Sequence, residues 1–160
     1  MVRRARQTDS PSFLALVTAL ANYEHLTPPT LAAKRRLVQD TFEKKKLNLF
    51  LAFVDGKAVG YALYYFTYSS FLARPTLYLE DLFVLEEHRG KGIGKKLFLR
   101  CVAETKKREC GRMEWSVLTW NKNAIRFYEK VGARRLTEWY YYRLDRKSLD
   151  NLIPYPDSKE

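Results

Sequence analysis

The sequence is poor in the residues that build metal centres and disulfide scaffolds. Its 160 residues include only two cysteines, Cys101 and Cys110, and two histidines, His25 and His88. Two cysteines cannot form a disulfide framework, and two histidines alone rarely hold a zinc ion, so no metal site is predicted. No apolar run approaches the roughly 20 residues that a membrane-spanning helix needs. The composition therefore argues against a disulfide-stapled protein, a zinc protein and an integral membrane protein.

Acidic residues are also scarce, since 18 Asp and Glu face 29 Lys and Arg and the net charge is +11. Such a charge suggests a polyanionic partner, with nucleic acid as the first candidate. The excess is uneven, however: residues 89–112 carry +7, whereas residues 49–88 carry −3. The basic runs at 34–36, 44–46 and 106–108 lack the aromatic motifs of RNA-binding modules. They are interpreted as solvated surface, and nucleic acid is the less favoured partner.

The hydrophobic pattern predicts an α/β (α+β) fold in a single domain, with helices on the faces of a mixed sheet. Asp55-Gly56 predicts a hairpin turn, and Asp9 or Ser10 and Thr30 are predicted to cap the first two helices. The domain is predicted over residues 1–147 and a frayed tail over 148–160. The predicted strands are 2–7, 49–54, 57–66, 76–84, 112–118 and 139–144, and the predicted helices begin near 10, 30, 92 and 123.

Three arginines before an apolar stretch near the N-terminus imitate a signal peptide. Asp9 and Pro11 interrupt that pattern, and the apolar positions follow the spacing of an amphipathic helix. An internal helix is therefore favoured, and a cytoplasmic location is expected.

A glycine-rich turn, Arg-Gly-Lys-Gly-Ile-Gly at 89–94, follows a predicted strand and opens a helix. Closely spaced glycines let the backbone approach a ligand, and a helix N-terminus offers unpaired N–H groups and a partial positive charge. Arg89, Lys91, Lys95 and Lys96 can add full charges. The turn predicts a cradle for a pyrophosphate, although its spacing fits neither the dinucleotide fingerprint nor a Walker loop.

A second group of residues surrounds the last predicted helix. Asn121 follows a strand, where its amide can bind a ligand or cap the helix, and Gly132 is expected to end that helix. Phe127 is interpreted as core. Tyr128 is either an aromatic packed in a helix seam or a functional residue.

Together, Arg-x-x-Gly-x-Gly after a strand and Asn with Phe-Tyr before Gly-Ala about 30 residues later resemble the GNAT superfamily of acyl-CoA-dependent N-acetyltransferases. The segments "ANYE" at 21–24, "YALYYFTYSSF" at 61–71 and "LYLEDLFV" at 77–84 are similar to those of spermidine/spermine N-acetyltransferases and their thialysine-acetylating relatives. The resemblance covers residues 2 to about 145 and implies a central mixed, mostly antiparallel sheet flanked by helices.

The resemblance implies an acetyltransferase that moves an acetyl group from acetyl-CoA directly to a primary amine in a ternary complex, releasing CoA. The backbone of Leu82, Phe83 and Val84 would splay from its neighbouring strand, bind the pantetheine and stabilise the oxyanion. Tyr128 aligns with the tyrosine that protonates the departing thiolate. The implied cofactor-binding residues are Leu82, Phe83, Val84, Arg89, Gly90, Lys91, Gly92, Ile93, Gly94, Lys95, Asn121, Ala124 and Tyr128.

The implied amine site consists of carboxylates and aromatic walls. Acidic side chains attract the ammonium group, and one of them can take its proton. Because adjacent residues of a strand face opposite sides, Glu80 is favoured as the catalytic carboxylate and Asp81 is left as a substrate-side residue or a structural ion pair. The implied substrate-binding residues are Tyr23, Glu24, Glu80, Asp81, Glu114 and Trp139, with Trp139 alternatively packed on the last strand.

The predicted substrate is a small-molecule amine: a polyamine, a diamine or a lysine-like amino acid. A protein N-terminal or lysine acetyltransferase and a basic nucleic-acid-binding module remain the alternatives. Cys101 and Cys110 are interpreted as inert thiols, because neither belongs to a motif with a histidine. Relatives of this type are commonly homodimers, and the strand expected at Tyr140–Tyr142 is compatible with a partner edge.

Overall fold

The computed structural model describes residues 1–152, which form parts of two compact units. The first unit spans Met1–Ser116, and the second begins at Val117. All the strands of the described residues lie in the first unit. The helices are Ser10–Tyr23 (α1), Leu31–Val38 (α2), Ile93–Lys107 (α3), Lys122–Lys130 (α4) and Arg146–Leu152 (α5).

The first unit is built on one five-stranded sheet in the order β1-β2-β3-β4-β5. Neighbouring strands run antiparallel except for β4 and β5, which are parallel. The predicted mixed, mostly antiparallel sheet flanked by helices is confirmed. The strands are Val2–Arg4 (β1), Asn48–Val54 (β2), Lys57–Ser69 (β3), Arg74–Val84 (β4) and Arg112–Glu114 (β5).

The β2–β3 hairpin turns where the sequence predicts it. Asp55 and Gly56 have φ values of +47° and +75°. Two consecutive positive φ values are those of a type I′ turn, whose twist suits antiparallel strands and whose preferred residues include Asp-Gly. The hairpin places β2 and β3 at the centre of the sheet, where their apolar side chains are buried.

Helices cover both faces of the sheet. Phe13 of α1 packs edge-on against Tyr61 of β3, whereas Leu97 and Cys101 of α3 are buried against the sheet. Positions 61 and 64 of one strand face opposite sides, and the Cys101 thiol acts electrostatically on Tyr64. Thus α1 lies on one face and α3 on the other.

Two helix starts were predicted from capping residues. The Thr30 hydroxyl accepts a hydrogen bond from the Ala33 amide and caps α2, which continues into a π-helical turn at Gln39–Glu43. Asp9 occupies the N-cap position of α1, but its side chain makes no bond to the helix. Its carboxylate instead pairs with Arg3 at 2.7 Å.

The second unit contains α4 and α5 and no strand within its described residues. The predicted strand at 139–144 was wrong, because this segment has no strand partner and strand-forming residues need one. Helix α5 runs across the predicted domain boundary at 147, and most of the predicted tail, residues 153–160, lies outside the described residues. Within residues 1–152, no helix is both long enough and apolar enough to cross a membrane.

Candidate active site

Two neighbouring carboxylates of β4, Glu80 and Asp81, lie at an irregularity in the sheet. Leu79 pairs with Tyr64 of β3 and Asp81 pairs with Leu63, so Glu80 is an extra residue without a partner across the ladder. Such a β-bulge interrupts the alternation of side chains along a strand. The charges of both carboxylates act on the same buried phenol. The prediction that they face opposite sides assumed an unbroken alternation, and the register is irregular at this position.

That phenol belongs to Tyr61, whose hydroxyl donates a hydrogen bond of 3.0 Å to Oδ2 of Asp81. The Tyr61 side chain is fully buried, at 0% exposure. Burial raises the pKa of Asp81 to about 6; the Tyr61 hydrogen bond opposes this rise, and the charges of Glu80 and Glu24 add to it. No lysine or arginine of residues 1–152 forms an ion pair with Asp81, so a neutral phenol takes the place of the alternative ion pair.

The end of α1 contributes a third carboxylate. Glu24 follows Tyr23, the last residue of the helix, and burial raises the pKa of Glu24. The Tyr23 ring lies 6.3 Å from the Phe83 ring of β4, measured between centroids. The charges of Glu24 and Glu80 both act on Asp81. The structure therefore brings together three of the four predicted carboxylates, with Tyr23 beside them.

Arg89 connects the end of β4 to the end of α1. Its Nε donates a hydrogen bond of 2.9 Å to the carbonyl oxygen of Val84. Its guanidinium carbon lies 4.2 Å from the Tyr23 ring centroid and 5.6 Å from that of Phe83, both within the range of cation–π attraction. The sequence predicts that this charge belongs to the pyrophosphate cradle, whereas the structure places it over the rings of Tyr23 and Phe83.

The outer edge of β4 is open beyond its first residues. Strand β5 pairs only with Thr76–Tyr78, although β4 continues to Val84, and no other described strand covers this edge. The predicted extension of β5 to residue 118 was wrong; the bulge at Glu80 bends β4 just where the pairing stops. An exposed strand edge offers backbone N–H and C=O groups to an extended ligand. This edge includes Leu82–Val84, as the resemblance implies.

The closeness of β3 to the end of β4 depends on Gly60. A Cβ atom at this position would lie 2.6 Å from the Phe83 carbonyl oxygen and 3.2 Å from the Val84 Cα. Both atoms belong to the backbone and cannot rotate away. The sequence does not identify this role of Gly60, because a single glycine within an apolar strand is only a weak sign that another backbone segment lies close to it.

The glycine-rich segment forms a turn that leads into a helix, as the sequence predicts. Gly90 and Gly92 have φ values of +74° and +75°, in the left-handed region that favours glycine. Helix α3 begins at Ile93, directly after Gly92, and no side chain caps its N-terminus. The first N–H groups of a helix have no partner inside the helix, so this end suits a phosphate. The turn fits the pyrophosphate group that the resemblance implies.

Two predicted cations of the turn, Lys91 and Lys95, differ in their hydrogen bonding and exposure. Lys91 Nζ donates a hydrogen bond of 2.9 Å to the backbone carbonyl of Glu87 and thereby braces the loop. Lys95, in the first turn of α3, is exposed. Lys95 is therefore the better placed of the two to meet an anionic ligand.

The second unit holds the remaining predicted cofactor residues. Asn121 Oδ1 accepts a hydrogen bond of 3.2 Å from the Ala124 amide, so of the two roles left open the structure shows the helix cap. Tyr128 lies on α4, and its ring centroid is 5.3 Å from that of Phe127. Gly132 has a φ of +86° and follows the helix, which confirms it as the residue that ends α4.

Two further predicted substrate residues, Glu114 and Trp139, remain predictions. Glu114 Oε1 lies 2.8 Å from Arg112 Nε, two positions along the same strand, so its charge is paired within β5. The Trp139 side chain is 76% exposed and belongs to no strand, which overturns the alternative of packing on a last strand.

The cysteines agree with their interpretation as inert thiols. Cys101 is buried, and this burial raises the pKa of its thiol to about 12. Burial also raises the pKa of Cys110. A protonated thiol is a poor nucleophile. Within the part of the chain that the structure describes, no group of three or more His, Cys, Asp or Glu side chains is arranged to hold a metal ion.

Tyr61 is the functional candidate that sequence reasoning missed. A tyrosine hydroxyl buried in a core usually finds a hydrogen-bond partner, and that general tendency was the available signal. The sequence does not show which carboxylate accepts this hydrogen bond, because strand alternation alone does not say whether Glu80 or Asp81 lies on the Tyr61 side. The irregular register at Glu80 determines the arrangement, and the sequence Leu-Glu-Asp carries no signal for a bulge.

Comparisons with known proteins agree with this geometry. The profile of the "Acetyltransferase (GNAT) family" matches residues 14–133. The thialysine N-epsilon-acetyltransferase of Bos taurus is 34% identical over 164 aligned residues, which cover 95% of this chain and 96% of that protein. Spermidine/spermine N(1)-acetyltransferase-like protein 1 of Homo sapiens is 32% identical over 159 residues, covering 92% of this chain and 23% of that protein.

The fold has similar solved structures. One, described as a probable acetyltransferase, has a TM-score of 0.81 and 20% sequence identity, and the match covers 91% of this chain and 97% of that one. At this identity the likeness supports the fold alone. The family assignment rests on the sequence comparisons.

Proposed function

The chain belongs to the acetyltransferase (GNAT) family and is an N-acetyltransferase; from this premise we propose that it acetylates a primary amine of a small molecule, with acetyl-CoA as the donor. The proposed acceptor is a polyamine, a diamine or a lysine-like amino acid. One observation carries the proposal: Glu24, Glu80 and Asp81 lie together at the end of α1 and the bulge of β4, next to an open strand edge.

Residues of this chain support a proposed binding place for acetyl-CoA, the acetyl donor. The backbone of Leu82–Val84 and the turn at 89–94, with Lys95, are proposed to bind acetyl-CoA, which supplies the acetyl group as a thioester. The open edge of β4 offers hydrogen-bonding groups, and the uncapped N-terminus of α3 offers N–H groups for phosphate oxygens. Asn121 and Ala124 are proposed further contacts at the start of α4.

The carboxylates have to attract a cationic amine to a protein whose net charge is +11. Salt screens this charge beyond about 8 Å at physiological ionic strength, so the nearby acidic groups dominate at the site. The basic excess lies at residues 89–112, on the side of the phosphates, and the acidic excess at 49–88. A lysine-like amino acid, with a carboxylate of its own, is repelled less at long range than a polyamine.

The reaction converts an ammonium group and a thioester into an acetamide, a free thiol and one proton. An unperturbed alkylammonium has a pKa of about 10, so a carboxylate must accept a proton before the nitrogen can attack. Tyr128 is proposed to donate a hydrogen bond or a proton to the departing thiolate. An unperturbed tyrosine titrates near 10 and a thiol near 8.5, which makes hydrogen bonding as useful here as full transfer.

A substrate panel tests the proposal. Release of CoA thiol is followed with acetyl-CoA and spermidine, thialysine or lysine at fixed salt, together with a lysine-containing peptide. Turnover of a free amine that falls strongly in Tyr128→Phe and Glu24→Gln supports the proposal. Acetylation of the peptide without release of CoA by any free amine would overturn it and favour a protein acetyltransferase.

The proposal also includes a cytoplasmic location and a homodimer. Sedimentation of the purified chain tests the second point and cell fractionation the first. A monomer at micromolar concentration contradicts the homodimer without affecting the chemistry proposed above.

A further inference from the structure

Glu80 and Asp81 are adjacent carboxylates on one bulge, yet their surroundings differ. The Glu80 side chain is exposed, whereas Asp81 is largely buried and its Oδ2 is bound by the Tyr61 hydroxyl. We propose that Asp81, rather than Glu80, accepts the proton of the substrate ammonium group, and that Tyr61 is the positioning residue that holds its carboxylate. The proposal rests on the function proposed above, since it assigns a step of that reaction.

The position of Tyr61 is strongly constrained. Its ring centroid lies 5.4 Å from that of Phe13 and 6.2 Å from that of Phe83, so the ring is held between α1 and β4. Burial and the nearby carboxylate raise the pKa of the Tyr61 hydroxyl well above its usual value, which keeps it protonated as a donor. A fixed donor on Oδ2 orients the carboxylate of Asp81 and leaves Oδ1 for an incoming N–H group.

Asp81 is also placed next to the acetyl donor's proposed strand edge. It directly precedes Leu82–Val84, the segment of β4 beyond the reach of β5. The charge of the exposed Glu80, on the same strand, raises the pKa of Asp81. The charge of the more buried Glu24, at the end of α1, raises it as well. These two charges attract the ammonium group, and together with burial they make Asp81 a stronger base than an ordinary carboxylate.

The step balances without a further reactant. One N–H bond of the ammonium group breaks, its electron pair stays on nitrogen, and the proton forms an O–H bond with Asp81, directly or through a water molecule. The neutral amine then has the lone pair that attack on a carbonyl carbon requires. Asp81 returns the proton to solvent after product release. An acceptor whose pKa of about 6 lies closer to working pH is more effective than one near 4.

The test compares Asp81→Asn with Glu80→Gln, two neutral replacements at neighbouring positions. The rate with saturating acetyl-CoA and a free amine is measured from pH 5 to 9. Loss of positioned general-base catalysis costs about 10²–10⁴-fold, so Asp81→Asn is expected to lower kcat by at least about 100-fold. Glu80→Gln is expected mainly to raise the amine KM. The reverse pattern, with kcat lost in Glu80→Gln and kept in Asp81→Asn, overturns the proposal.

The Tyr61→Phe variant tests the positioning role through the pKa of Asp81, which replacement of a merely structural residue would not change. Without the hydroxyl, the pKa of Asp81 rises, because the hydrogen bond favours its charged form. The acidic limb of the pH–rate profile should therefore move to higher pH in Tyr61→Phe. Titration of the Asp81 carboxyl carbon by NMR, in the protein without substrates, should show the same upward movement. An unmoved limb and an unmoved titration contradict the role of Tyr61.

Failure of this inference is distinguishable from failure of the proposed function. If the unmodified chain releases no CoA with any amine, the function itself is wrong. If the chain turns over a free amine and only the variants disagree, the function stands and the assignment of Asp81 falls. Far-UV circular dichroism like that of the unmodified chain, together with cooperative urea unfolding, establishes for each variant that a loss of rate is not a loss of fold.

Discussion

The guanidinium of Arg89 lies 4.2 Å from the Tyr23 ring and its Nε is bonded to the Val84 carbonyl. One side chain thus fastens the end of α1, which carries Glu24, to the last residue of β4. Lysine cannot reproduce both contacts, because it has neither a planar face nor a fixed Nε–H.

Arg89→Lys is therefore expected to destabilise the protein. A cation–π contact contributes about 0.5–2 kcal/mol and a hydrogen bond about 1 kcal/mol, so a loss of about 1–2 kcal/mol is predicted in urea unfolding. Arg100→Lys is the matched control, since Arg100 is exposed and lies 5.6 Å from the Phe50 ring. Equal effects of the two substitutions would contradict the bracing role of Arg89.

Asp81→Asn is predicted to stabilise the fold in a pH-dependent way. The folded pKa of Asp81 is raised to about 6, so its contribution to stability is present below the unfolded value and is lost as pH rises through 6. Asparagine carries no such charge, yet still accepts from Tyr61. The gain in the free energy of unfolding from Asp81→Asn should thus be larger at pH 8 than at pH 4.5, by about 2 kcal/mol.

Urea unfolding of both proteins at these two pH values measures this difference. Glu80→Gln, at an exposed position, is the control for removing a neighbouring carboxylate. A difference between Asp81→Asn and the unmodified chain that stays constant from pH 4.5 to 8 would show that the Asp81 carboxyl is not perturbed as described. Gain of stability with loss of activity is the expected signature of a strained functional group.

Gly60→Ala is predicted to disturb the end of β4. Its Cβ would stand 2.6 Å from the Phe83 carbonyl oxygen, and overpacking of this kind costs about 1–3 kcal/mol. The acetyl-CoA KM should rise as well, because the displaced segment is its proposed binding edge. Gly111→Ala is the control: its nearest atom, at 2.8 Å, is Leu72 Cδ1, the end of an exposed and movable side chain. Similar losses in both variants would argue against a special demand at Gly60.

Gly92→Ala is predicted to weaken the binding of acetyl-CoA and to reduce stability. The φ of +75° costs a residue with a Cβ about 1–2 kcal/mol, and relaxing this strain would redirect the N-terminus of α3. Gly56→Ala is the control, since Gly56 has the same φ of +75° in the β2–β3 turn and belongs to no proposed binding segment. Calorimetric titration with CoA and urea unfolding measure the two effects. A Gly92→Ala protein that binds CoA unchanged would contradict the proposed cradle.

Local signals in the sequence were sufficient for the hairpin at Asp55-Gly56 and for Gly132 as the residue that ends α4. In both cases the residue type favours the positive φ that the turn requires. The same holds for the cap at Thr30, whose hydroxyl bonds to an amide within its own helix, whereas for Asn121 the sequence left a cap and a ligand contact equally open.

Features that depend on partner strands were less predictable. The run Trp139–Leu144 is rich in strand-forming aromatics, but propensity cannot provide a neighbouring strand. The short β5 and the irregular register at Glu80 depend on how the strands pair and pack, and the local sequence carries no signal for either. The hydrogen bond between Tyr61 and Asp81 was for the same reason not predicted.

The stoichiometry of one reaction shows directly whether the chain transfers acetyl groups to free amines. The chain is incubated with acetyl-CoA and thialysine or spermidine, CoA thiol is titrated, and the amine is analysed by mass spectrometry. One acetyl group on a primary amine nitrogen is expected for each thiol released, with both products absent when the amine is omitted. Thiol release that leaves every free amine unacetylated would contradict this expectation.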